Sequence, residues 1–124
     1  FGQASDMMAF APKAQLTAIV DSWGPYYIKR IKAGMDGTWA SQQSWDGMAE
    51  GNVTMAPYAN MPDDVAKMAA DTQAAITAGT LNPFTGPITK QDGTVVGEAG
   101  KPLPDGDILG MNWYVKGVDD KLPQ

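Results

Sequence analysis

Apolar and polar positions alternate along this chain in short blocks, each closed by a turn signal. Leu16 to Val20 (LTAIV) is an apolar, partly β-branched run of the kind that forms a buried strand of a parallel sheet, and it stops at Asp21-Ser22. The segment GPYYIKRIKAGMDG then places Tyr27, Ile28, Ile31 and Met35 at helical spacing. Pro25 suits its first turn and Gly37 its stop. Between Gly47 and Tyr58 the pattern breaks at Glu50-Gly51-Asn52 and resumes with Val53 and Met55 alternating against Thr54, which predicts a second strand. PDDVAKMAADTQAAITAG predicts a second helix. Val65, Met68, Ala69, Thr72 and Ile76 share one of its faces, acids lie in its first turn, and Gly79 follows its last.

From Asn82 onward the helical period is lost. Asp92-Gly93 sits between Ile88 and Val95-Val96 as the turn of a small exposed hairpin, and DILGMNWYVKGVDD predicts a helical turn followed by a short strand at Trp113 to Val115. Two strand-loop-helix units plus a hairpin give an α/β class with helices on the faces of a sheet. About three parallel strands are too few to complete such a sheet, so the pattern reads as part of a fold.

Composition narrows the chemistry. The 124 residues are one domain's worth, 44% hydrophobic and 19% charged, with 14 glycines and 9 prolines that keep the elements short. Cysteine and histidine are both absent, which removes disulfides, thiolate metal sites, cysteine nucleophiles and serine–histidine catalysis, and leaves no recognisable metal or cofactor site. A net charge of −5, with no basic run beyond Lys29-Arg30, argues against nucleic acid as a partner. No apolar run approaches the roughly 20 residues that span a bilayer.

The run SDMMAFAPKAQLTAIVDSWGPYYIKRIKAGMDGTW, followed by WDGM, PDDV, NPFTGPI, QDG and MNWYVKGV, resembles the carboxy-terminal third of the basic membrane protein (BMP) family. These are substrate-binding proteins of ABC transporters, related to purine nucleoside receptor lipoproteins. The resemblance covers essentially the whole chain. It implies the type I periplasmic binding protein fold, two α/β lobes with parallel sheets that close on a ligand about a hinge. Residues 1–124 are then a carboxy-terminal portion that contributes to one lobe and the hinge, with no independent second domain. Phe1-Gly2 would continue a strand whose body lies upstream. The implied partners are a small-molecule ligand, the membrane permease and the remainder of the same polypeptide. The implied place is extracytoplasmic, in the periplasm or on the outer face of the cytoplasmic membrane, with a lipid anchor in some members.

Ligands of open α/β sheets bind outside the carboxyl ends of the strands, and the candidate ligand-binding residues there are Ser5, Asp6, Asp21, Ser22 and Trp23. In the family's purine receptors the first loop commonly carries two acids, the first of them associated with ribose. Ala4 occupies that position and Asp6 keeps the second acid. The next loop usually carries a lysine near the ribose, where this chain has Asp21. Both departures favour a free purine base such as adenine over a nucleoside.

Each residue also has a plainer reading. Asp6 and Asp21 suit helix caps, Asp6 for a helix beginning at SDMMAF. Trp23 suits packing at a lobe surface. Tyr26, Tyr27, Trp39, Trp45 and Trp113 read as core, hinge or interlobe packing, the eight methionines as gap-filling core, and Lys13 as a solvated charge. The leading function is binding without catalysis. The alternatives are an acid-pair hydrolase of nucleosides or glycosides using Asp6 and Asp21, and a free-standing interaction domain, whose uncovered sheet edge would associate.

Overall fold

The computed structural model describes residues 1–122, which form two compact units, Phe1–Thr80 and the segment from Leu81 onward. In the first unit the elements are β1 (Gly2–Ala4), β2 (Ala18–Asp21), α1 (Trp23–Met35), β3 (Val53–Met55) and α2 (Asp63–Thr77). The strand order is β1-β2-β3. β1 and β2 run parallel, with Gly2 opposite Ala18 and Ala4 opposite Val20.

β3 departs from the all-parallel expectation. It lies antiparallel to β2, with Asp21 opposite Val53 and Ile19 opposite Met55. A period-two pattern identifies a strand but not its direction; the connection sets that. After α1 carries the chain away from the end of β2, residues 36–52 bring it back to that same end. There the Asn52 carbonyl accepts a hydrogen bond from the Ser22 amide at 2.8 Å.

The helix stops follow the sequence. α1 ends at Asp36, and Gly37 adopts a φ of 68° while the Thr38 amide returns to the Ala33 carbonyl. Gly79, at a φ of 70°, closes α2 in the same way, with the Thr80 amide on the Ala75 carbonyl. SDMMAF does not form a helix. Amides of Phe10 and Ala11 both reach the Met7 carbonyl, which makes a turn, and Asp6 serves that turn instead of a helix.

The buried centre of this unit is small and partly polar: Ala18, Thr17, Ala56 and Gln15. Thr17 is completely buried, and its hydroxyl donates to the Ala56 carbonyl at 2.7 Å, joining β2 to the end of β3. Neither α1 nor α2 has a buried residue. Ile28, Ile31, Met35, Val65 and Met68 are exposed, as are Trp39 and Trp45, and none of the methionines is buried among the described residues. The sequence reading of the methionines as gap-filling core is therefore not met among the described residues, and Trp39 and Trp45 are not core of this unit. The apolar stripes are present, but no layer of this unit covers them.

The second unit is a small β element with a helical turn. β4 (Ile88–Thr89) and β5 (Val95–Val96) pair antiparallel, and α3 spans Asp105–Leu109. Their hairpin has a three-residue loop, not the two-residue one the Asp-Gly pair suggests. The Lys90 amide meets the Thr94 carbonyl, the Gly93 amide meets the Lys90 carbonyl, and Gly93 sits at a φ of 88°. The predicted strand at Trp113–Val115 is reduced to main-chain contacts along this hairpin, from Gln91 to Tyr114 and from Lys116 to Thr89. Gly86 and Gly97 pack against each other so closely that a Cβ on Gly86 would lie 2.7 Å from the Gly97 carbonyl carbon.

Candidate functional site

Parallel pairing with level register places the carboxyl ends of β1 and β2 side by side. Ser5 and Asp6 follow the first, while Asp21 closes the second and leads into Ser22 and Trp23. All five sequence-predicted residues thus lie at one end of one sheet. The antiparallel β3 adds a third loop at that end, Gly47–Asn52, which sequence reading did not place there. Only the strand direction reveals it.

The first loop turns sharply because Ala4 adopts a φ of 63°, in the left-handed region that favours glycine or asparagine. The turn folds the Ser5 carbonyl down over Gly2, where a Cβ would sit 2.7 Å from it. Asp6 is exposed, and its Oδ1 accepts two hydrogen bonds, from the Met8 amide at 2.9 Å and from Gln15 Nε2 at 2.6 Å. Gln15 Oε1 in turn accepts the Met7 amide at 3.1 Å. Asn60 holds this segment from the other side: its Nδ2 donates to the carbonyls of Pro12, at 2.9 Å, and Gln15, at 2.7 Å.

In the second loop Ser22 stands at the amino cap of α1, yet its side chain makes no capping hydrogen bond. Asp21 is exposed. Trp23, the first helical residue, is 48% exposed and belongs to an aromatic cluster. Its ring meets Tyr26 edge-on, at 5.8 Å and 82°, and lies tilted against Tyr27 at 6.1 Å. Tyr26 is half-buried and Tyr27 exposed, so these tyrosines brace the tryptophan rather than fill a core.

The second unit holds none of the predicted residues. It has an open concavity of about 720 Å³ bounded by Lys90, Lys101, Leu103, Asp107 and Trp113, and a neighbouring apolar one of about 660 Å³ lined by Phe84, Ile88, Met111 and Val115. Trp113 is the wall between them, with the Lys90 ammonium 5.2 Å from its ring centroid.

Among the described residues no group of three or more acidic side chains could hold a metal ion. The first unit offers accessible carboxylates, a serine hydroxyl free of capping duty and an accessible indole. These groups suit a small planar solute bearing N–H donors, held by hydrogen bonds and stacking. No family model matches the chain. Over all of its 124 residues it is 65% identical to the purine-binding protein of Brucella abortus (strain 2308), and it spans 35% of that protein's length.

Proposed function

We propose that this chain is the carboxy-terminal portion of the extracytoplasmic solute-binding component of an ABC importer of the type I periplasmic binding protein fold. In this reading it supplies one wall of a cleft that takes a purine base. The observation that carries the reading is the gathering of Ser5, Asp6, Asp21, Ser22 and Trp23 at one sheet end. Similarity to a purine-binding protein over the whole chain supports it. A carboxylate accepts ring or exocyclic N–H groups of the base, and the indole offers a stacking face. The work is capture and hand-over to a membrane permease, not bond-making.

A base is favoured over a nucleoside because the two positions where the family resemblance expects ribose-binding groups hold Ala4 and Asp21. Isothermal titration calorimetry of the full-length protein with adenine, inosine and guanosine tests this. Binding of adenine with weaker or no binding of the nucleosides is expected. Tight binding of inosine or guanosine with no adenine binding would overturn the preference for a base, and failure of all three would overturn the purine reading.

A further inference from the structure

The least expected side chain near the site is Gln15, a polar residue only 6% exposed at the entry to β2. Its amide is used at both ends: Nε2 donates to Asp6 Oδ1 at 2.6 Å, and Oε1 accepts the Met7 amide at 3.1 Å. These two bonds fix which way the amide faces, since a flipped amide would present a donor to a donor. Asn60 fixes the Gln15 backbone as well, through the bond to its carbonyl at 2.7 Å. Both hydrogen bonds to the Asp6 carboxylate fall on Oδ1, and among the described residues Oδ2 accepts none.

We propose that Gln15 is a positioning residue for ligand binding: it pins Oδ1 of Asp6 so that Oδ2 is held ready to accept an N–H group of the ligand. This rests on the reading of Asp6 as a ligand contact. The physical gain is pre-organisation. An exposed aspartate samples several rotamers, and a ligand must select one of them, whereas a carboxylate locked from behind by a buried amide has already lost that freedom. Holding one such side chain in advance is worth about three- to tenfold in affinity. Gln15 itself need not touch the ligand.

The test is a double-mutant cycle on full-length protein, with adenine affinity measured by calorimetry and folding checked by thermal unfolding. Gln15→Met keeps the volume and removes the amide; it is expected to weaken adenine about three- to tenfold in the native background and to have no further effect in Asp6→Ala. A second variant supplies a readout that simple destabilisation would not move. In Gln15→Glu two carboxylates meet at the 2.6 Å contact, and at neutral pH and above, where both are ionised, they repel and drive Asp6 from its place. Adenine affinity should then recover as the pH is lowered and one proton is shared, a dependence absent from the Gln15→Met protein.

An equal loss from Gln15→Met in both backgrounds, no loss in either, or a flat pH profile for Gln15→Glu would overturn the positioning role. If Asp6→Ala binds adenine as the unaltered protein does, the positioning role falls while purine binding stands. If the unaltered protein binds no purine, the proposed function falls and this inference with it.

Discussion

A methyl group placed on Gly2 should strike the first loop from beneath. An ideal Cβ there lies 2.7 Å from the Ser5 carbonyl oxygen, 2.8 Å from the Ala18 Cβ and 3.2 Å from Gln15 Oε1. Ordinary contact begins near 3.4 Å, so the backbone of the loop and that of β2 must separate by about 0.6–0.7 Å. Two of the three obstacles are a main-chain oxygen and the methyl of a completely buried alanine, and neither can swing aside. Overpacking of this kind costs about 1–3 kcal/mol, while losing glycine's freedom in the unfolded chain returns about 0.4–1. The middle of each range leaves a net destabilisation of about 1 kcal/mol for Gly2→Ala. Urea unfolding of the full-length protein should show a midpoint lower by a few tenths of a molar to about 1 M.

Gly24→Ala is the matched control. Nothing lies within 4 Å of the added methyl, and the position is helical, so the midpoint should stay or rise. Calorimetry on Gly2→Ala should also register weaker adenine binding, because the displaced Ser5 carries Asp6 with it. An unchanged midpoint in Gly2→Ala would mean that the loop does not sit on β2, and Asp6 would then lack the support that places it at the sheet end.

Other perturbations follow from single contacts. Asn60→Ala removes both amide bonds to the Pro12 and Gln15 carbonyls and leaves alanine at a φ of 53°, so thermal unfolding should show a loss of about 1–3 kcal/mol, part of which Asn60→Gly recovers. Ala4→Gly should stabilise the protein by up to about 1 kcal/mol in urea unfolding, since glycine occupies the φ of 63° without strain. The Thr94 amide, followed by the Thr94 hydroxyl, holds the Asp92 carboxyl below the usual aspartate range. Its folded value is depressed, so the stabilisation of the hairpin is fully present above the unfolded value and is lost as the pH falls through the folded one. Carboxyl-carbon NMR should show this low titration together with faster Thr94 amide exchange in acid, and Asp92→Ala should abolish both.

Where a single local period decided the structure, the sequence was a good guide. α1 and α2 fall where apolar spacing and the glycines at 37 and 79 put them, and β2 differs from the predicted Leu16–Val20 by a shift towards Asp21. Features set by distant parts of the chain were not legible. The direction of β3 depends on the path of residues 36–52, and the third loop at the site depends on that direction. Gln15 left only a faint sign, a polar residue at the head of an apolar run, because its burial needs Asp6, Met7 and Asn60 to converge on it. The apolar helix stripes were read correctly as stripes, but a pattern records a face and not what covers it.

The hydrogen bond from the Ser22 amide to the Asn52 carbonyl has a bearing on how such a site can change over time. Like the β1–β2 ladder beside it, it is made by the main chain and does not depend on which side chains stand at positions 5, 21, 22 and 23. The frame can therefore persist while the residues it displays drift. Side chains there can be exchanged one at a time, and each intermediate in that series keeps a folded loop on which selection can act.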